Sequence, residues 1–184
     1  MKPVALAAGV VMREYQASDA GVLLMAVDAS RRRLARWMPW VPFATTVQDF
    51  EDFIRVAARQ GRDGSGQHLG LFDDHVVVGA VGASIGSLNF DEADVGYWLA
   101  ESHEGLGLVS VAVSHVIEWL FAERDMYRIT IRAAVDNQRS RAVAKRLGFT
   151  FEGILRGSLL LDGVHADAAL YSLLAPDWNL STEY

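Results

Sequence analysis

With 184 residues, 51% of them hydrophobic, the chain is long enough to bury a core and short enough that one domain, residues 1–184, is the default expectation. A formal charge of −6 disfavours a phosphate backbone as main ligand, so no nucleic-acid partner is expected. The absence of cysteine excludes disulfides, thiolate metal sites and an acyl-cysteine intermediate, which leaves group transfer that is direct or uses another nucleophile; no metal is expected.

The opening "MKPVALAAGVVMREYQ" carries one lysine and a short apolar run that leads straight into the strand-like "VVMREY" instead of a cleavage site. No stretch is long enough to span a membrane, so the expected setting is the cytoplasm, with no membrane partner. A helix follows the strand Val10 to Tyr15, with Ser18 or Asp19 as N-cap and Val22, Leu23, Met25 and Ala26 at helical spacing. Three arginines at 31–33 read as its solvated end. Pro39 then breaks the helix inside a cluster that sets Trp37 beside Trp40, either as a core plug or as the wall of a substrate groove.

The stretch "TTVQDFEDFIRVAARQ" restarts a helix with Thr45 or Thr46 as cap and Phe50, Phe53, Ile54 and Ala57 on its apolar face. After a turn at "GRDGSGQ", the runs "HLGLFDD", "HVVVGAVGASIGSL" and "EADVGYWLA" read as consecutive antiparallel strands. The second half changes pattern. "GLGLVSVAVSHVIEWLFAERD" is helical, "YRITIRAAV" a strand and "NQRSRAVAKRLG" a helix with Ala142, Val143 and Leu147 toward the core; two closing strands turn at Asp162-Gly163. Hairpins followed by strand-helix-strand units imply an α/β, or α+β, architecture with helices on both faces of a mixed sheet.

Three local patterns bear on chemistry. Gly82-Ala83-Ser84-Ile85-Gly86 matches the nucleophile elbow of serine hydrolases, but that motif needs a helix directly after the serine, and "SLNFDEADVGYWL" reads as a turn and a strand. A hydrolase at Ser84, with His115 or His165 as partner, is therefore the remote reading. In "GYWLAESHEGLGLVS" a strand ends, a turn with two glycines follows and an apolar helix begins, a geometry whose exposed N–H groups suit a pyrophosphate. In the third pattern, Asn137 either caps the helix it opens or faces a ligand together with Ser140, one turn further on.

Taken together, "RLARWMPW", "GYWL", the Gly-x-Gly turn, "NxxSxxVxxxLGF" and the closing "EG…DG…D..LYSLL" resemble the GNAT N-acetyltransferases, and more closely their RimJ/RimL-type branch. The resemblance covers nearly the whole chain and implies a mostly antiparallel seven-stranded sheet that splays in the middle. It implies acetyl-CoA as acyl donor and direct transfer to a primary amine, either a protein N-terminal α-amine or a small-molecule amine. Succinyl-CoA as donor, or an acyl-CoA-binding module of weak activity, are the alternatives. By the same resemblance Trp98, Leu99 and Ala100 pair with the pantetheine arm, and a main-chain N–H near Leu99 polarises the thioester carbonyl. Glu104, Gly105, Leu106, Gly107 and Leu108 form the pyrophosphate turn. Asn137 holds the arm, Ser140 meets the departing thiolate, and Arg139, Arg141, Lys145 or Arg146 reach the phosphates. Trp37, Trp40, Tyr97 and Asp167 are expected along the substrate groove, with Asp94, Asp167 or a water chain assisting deprotonation. A homodimer is left open, with the tryptophans as candidate contacts. Two departures stand out: Glu104 puts a carboxylate beside the expected pyrophosphate, and Leu159 falls where the RimL-type base glutamate is expected.

Overall fold

The computed structural model describes residues 1–86 and 91–181. The strands are β1 (Val4–Ala5), β2 (Val10–Glu14), β3 (Gly66–Asp73), β4 (Val76–Ile85), β5 (Glu92–Leu99), β6 (Arg128–Ala134), β7 (Thr150–Leu161) and β8 (Val164–Leu174). The helices are α1 (Ala20–Ala35), α2 (Val47–Asp63), α3 (Leu108–Ala122), α4 (Gln138–Arg146) and α5 (Ala175–Ser181). The order across the sheet is β1-β2-β3-β4-β5-β6-β8-β7, antiparallel at every junction except β5–β6. The eighth strand beyond the seven expected is β1, two residues on the edge of β2 and too short to carry a periodic signal. The turn expected through residues 87–90 lies outside the described residues.

Local chemistry explains where the helices start and stop. Thr46 caps α2 through a capping box: its hydroxyl accepts the Asp49 N–H at 3.3 Å and Asp49 Oδ2 accepts the Thr46 N–H at 2.8 Å. Gly64, at φ 80°, ends the helix in the left-handed conformation that glycine adopts without penalty. Asp19 precedes α1, but its side chain serves the turn before the helix, accepting the Gln16 N–H at 2.7 Å while paired with Arg13 at 2.7 Å. Asn137 caps α4, its side-chain oxygen accepting the Ser140 N–H at 3.2 Å.

Two hydrophobic layers sandwich the sheet. On one face α3 and α4 bring Leu108, Val113, Val116, Ile117, Leu120 and Ala144 against Leu69, Leu71, Ile129 and Ile131. On the other, α1 and α2 bring Leu23, Val27, Phe50 and Ile54 against Phe72, Val77 and Trp98. The faces of three helices differ in detail from their expected ones. Met25 is 71% exposed and Val27 takes its place in the core; Phe53 is 37% exposed on a surface described below; Ala144 is the buried residue of α4, whereas Ala142 is exposed.

Parallel pairing of β5 and β6 stops after three residue pairs, the last being Asp94 with Thr130, although both strands continue. Beyond that point β5 keeps β4 and β6 keeps β8, so the sheet forks. The β7–β8 hairpin closes on Asp162 and Gly163, both at positive φ, and carries two register breaks, at Glu152 and across residues 156–158. In the second, Asp167 Oδ1 accepts the Gly157 N–H at 2.8 Å.

Glu152, displaced from the ladder at the first break, accepts two hydrogen bonds from Arg128 at 2.6 and 2.7 Å and one from the Ser172 hydroxyl at 2.7 Å. The Arg128 pairing is the main cause that pulls its carboxyl from 4.5 to about 2. A depressed folded pKa contributes stability that is complete above the unfolded value and disappears as pH falls through the folded one. Urea midpoints should therefore fall between pH 4.5 and about 2 more steeply for the parent protein than for Glu152→Gln; equal slopes would remove Glu152 as the source.

Candidate active site

The fork is held open by a short polar chain. The Thr130 hydroxyl donates to Asp94 Oδ1 at 2.9 Å, and Arg132 donates to both Asp94 oxygens at 3.2 and 3.0 Å. These groups sit where pairing ends, so the strands diverge from a pinned point. Past it, the Ala100 N–H turns toward β4 and bonds Val78 O at 2.7 Å. Backbone groups alternate sides along a strand, so the Leu99 N–H and carbonyl face the gap. The Leu99 carbonyl there accepts from Arg33 at 2.6 Å.

A cavity of about 600 Å³ opens on the α1–α2 side of the fork. It brings together Trp37, Trp40, Asp94, Tyr97, Trp98, Asn137, Ser140 and Leu159 from four separate parts of the chain. Phe53, His68 and Arg132 also line it, and none of the three was expected there. Arg31 fixes the tryptophan turn by donating to Val41 O at 2.6 Å and Ala44 O at 2.8 Å. Trp40 meets Phe50 edge to face, its ring centroid 6.5 Å away. Asp167 is not among the lining residues, because its carboxylate is turned to the Gly157 N–H of the hairpin break. Asp94 does line the cavity, with both oxygens already receiving donors.

Ser140 is better anchored than its place on a nine-residue helix suggests. The Tyr97 hydroxyl lies 3.0 Å from the Ser140 carbonyl oxygen, to which it donates, and 3.1 Å from Ser140 Oγ. Burial pushes the Tyr97 phenol up to about 12, so it keeps its proton through the neutral range. The sequence placed Tyr97 in the groove but carried no signal of this link, which spans 43 positions.

Beyond the fork, Gly105 and Gly107 stand at φ 80° and 74° on either side of Leu106, which is exposed, and α3 opens directly after them with Leu108 buried. A Cβ at either glycine would meet no atom within 4 Å, so open space lies beside this turn. The first N–H groups of α3 have no carbonyl of the helix to bond. Glu104 is paired with Arg33 of α1 and Arg139 of α4, so its charge is compensated by two guanidiniums. Arg33 belongs to the run read as a solvated helix end, and nothing in local periodicity marks its tertiary reach. Arg146 donates to Ser110 Oγ at 2.8 Å beside the same turn, and Lys145 is exposed. Arg141 turns inward, bonding the Tyr171 hydroxyl at 3.0 Å and Val135 O at 2.9 Å.

Ser84 borders the cavity but sits inside β4, opposite Gly66 and Asp94, and not at a strand-to-helix turn. Neither His115, on α3, nor His165, on β8, lines that cavity. The hydrolase reading fails on this geometry. Among the described residues no group of three or more His, Cys, Asp or Glu could hold a metal ion, and no helix is long and apolar enough to cross a membrane.

The profile of the acetyltransferase (GNAT) domain matches residues 10–150. The Bacillus subtilis (strain 168) protein YdaF, named provisionally as a ribosomal N-acetyltransferase, is 33% identical over 175 residues, 92% of this chain and 93% of its own. The ribosomal-protein-serine acetyltransferase of Escherichia coli (strain K12) is 29% identical over 140 residues, 76% of this chain and 78% of its own. Among solved structures, the microcin C7 self-immunity acetyltransferase MccE in complex with acetyl-CoA and AMP aligns with a TM-score of 0.83 at 26% identity, covering 90% of this chain and 92% of that one. The forked sheet, the glycine turn and these likenesses agree: the chain belongs to the GNAT acetyltransferase family, as an N-acetyltransferase that takes its acetyl group from acetyl-CoA.

Proposed function

We propose that the acceptor is the α-amine of a protein N-terminus, of the kind presented by ribosomal proteins, and that transfer takes place at the β5–β6 fork. The observation that carries this reading is the edge of β5 from Val95 to Leu99, which has left β6 with only the Leu99 carbonyl taken, by Arg33, and which opens into the cavity that also holds Ser140. The pantetheine arm adds to this edge as an extended strand, and the pyrophosphate lies at the Gly105–Gly107 turn with Arg139, Lys145 and Arg146 near it. Arg33 and Arg139 compensate Glu104, which removes the repulsion a bare carboxylate would exert there.

The neutral amine enters from the aromatic side, past Trp37 and Trp40, and attacks the thioester carbonyl carbon. The Leu99 N–H, facing the gap, donates to the carbonyl oxygen as charge develops on it. The new C–N bond forms as the C–S bond breaks, and the thiolate departs toward Ser140 Oγ, which Tyr97 orients. Catalysis rests on positioning two substrates in one cavity. The relatives named as a ribosomal N-acetyltransferase and a ribosomal-protein-serine acetyltransferase support a protein amine, and acetyl-CoA and ribosomal proteins meet in the cytoplasm.

An α-amine of pKa about 7.8 is roughly one third neutral at pH 7.5, whereas a lysine amine of pKa about 10.4 is neutral about one part in a thousand. With acetyl-CoA as donor, a short peptide amide beginning with serine should therefore be acetylated on the order of 100-fold faster than a lysine side chain at that pH. Mass spectrometry of the products and initial rates measure this; a preferred lysine acceptor with a rate independent of pH across neutrality would overturn the assignment. Ser140→Ala should lower kcat by about tenfold or more while titration calorimetry shows acetyl-CoA affinity within a few-fold of the parent. Unchanged kcat would remove the serine from its assigned step.

A further inference from the structure

Leu159 on the cavity wall cannot take a proton, Asp94 is occupied by Arg132 and Asp167 lies elsewhere. Tyr15, Asp49 and His68 are titratable side chains on the cavity wall with no part in the steps above, and of these only His68 offers a neutral-range base. Building on the function just proposed, we propose that His68 is the proton acceptor for the attacking amine, acting across a floor made by Gly82 and Gly96.

The argument is geometric. His68 on β3 is registered with Gly82 on β4, and Gly82 with Gly96 on β5, so the row running from His68 toward the fork has no side chain for two strands. Gly96 is exposed, and a Cβ there would meet nothing within 4 Å. At Gly82 a Cβ would lie 2.6 Å from His68 Nδ1, so only glycine leaves that nitrogen uncovered. On the other side of the ring, His68 Nε2 is 2.9 Å from Gln60 Oε1. An amide oxygen only accepts, so the proton is on Nε2 and the lone pair on Nδ1, over the bare floor. Phe53 packs edge to face against the imidazole, with centroids 5.6 Å apart, and fixes its plane. Nδ1 stands over Gly82, about 4.8 Å from the β5 row, and Leu99 lies three residues, about 10 Å, along β5 from Gly96, so a chain of waters along the bare floor links the amine to Nδ1.

Burial lowers the His68 pKa below the ordinary histidine value, which keeps the ring neutral and able to accept a proton. The charged and titratable groups around it are Glu14 and Tyr15 at the end of β2, Asp49 and Arg62 of α2, Asp94 of β5 and Arg132 of β6. Asp49 serves the α2 cap, Asp94 is paired with Arg132, and burial raises the Tyr15 phenol, so none of these three competes for the amine proton. His68 also borders a second, smaller cavity of about 290 Å³ that contains Glu14, Arg62 and Gln67. The imidazole thus stands between the acceptor cavity and this polar one. In the balanced step, the amine nitrogen bonds the acetyl carbon and passes one proton along the water chain to His68 Nδ1. The C–S electron pair leaves on sulfur, the thiolate gains a proton from solvent, and His68 Nδ1 returns its proton to solvent through the acceptor cavity as product leaves, which restores the Nε2–H tautomer.

The test is the pH dependence of kcat at saturating acetyl-CoA and saturating serine-initiated peptide amide, for the parent, His68→Gln and Gln60→Glu. For the parent, kcat should fall on an acid limb below the ordinary histidine range. His68→Gln should lower kcat by about 100-fold and abolish that limb while acetyl-CoA affinity is kept. Gln60→Glu, whose carboxylate favours the imidazolium, should move the limb to higher pH. If His68→Gln keeps the parental kcat and limb, or if Gln60→Glu leaves the limb in place, His68 is not the acceptor. Absence of any acetyl transfer by the parent would instead overturn the α-amine reading, and the two failures are read separately.

Discussion

A forked sheet depends on a junction that neither zips shut nor unravels, and here that junction is Asp94 with Thr130 and Arg132. An unpaired strand edge carries N–H and carbonyl groups that need partners, so without a pin the two halves of the sheet would close on each other or recruit another chain. The Asp94 carboxylate takes donors from β6 at the last paired position and two residues beyond it, which sets the direction in which β6 leaves. Everything functional is arranged from that point. The bare edge of β5 lies on one side, Ser140 on the helix after β6 lies on the other, and the aromatic cavity lies beneath.

Charge compensation is the second organising element. Glu104 next to an anion-binding turn would be a liability by itself, yet it connects two arginines contributed by helices on opposite faces of the sheet, Arg33 and Arg139. The same Arg33 holds the Leu99 carbonyl, so one guanidinium touches both the glycine turn and the fork. α1 is therefore tied to the ligand-binding edge through a polar contact as well as through its apolar face.

Much of this was legible in the sequence because it is local. The α2 cap at Thr45 or Thr46, the Asp162-Gly163 turn and the glycine turn before α3 are each set by residues a few positions apart and appear at the expected places, with Thr46 taking the cap. Of the two readings of Asn137, the cap is the one formed. The order of motifs carried the family. What escaped depends on how elements cross. Helical spacing defines a stripe but not which edge of it meets the sheet, so Ala144 is buried where Ala142 was expected, and Phe53 lines a cavity where a core position was expected. Arg33, His68 and the Tyr97–Ser140 link act over separations of 71, 8 and 43 residues, through partners on other elements, and no local pattern encodes them.

The break in β7 at residues 156–158 has a consequence for how this hairpin can vary. Between Leu155 and Leu159 the strand runs through three residues while β8 runs through one, so the excess is two. Side chains alternate with period two, and an even excess returns the distal half of β7 to the facing it would have had without the break. Leu159 accordingly still points to the cavity. The pairs Leu159–Ala166, Leu160–His165 and Leu161–Val164 are fixed by the two-residue turn and by β8. Residues added or removed at Gly157 therefore resize the bulge while Leu159 keeps its facing, making this loop a place where the hairpin can vary in length without changing what lines the cavity.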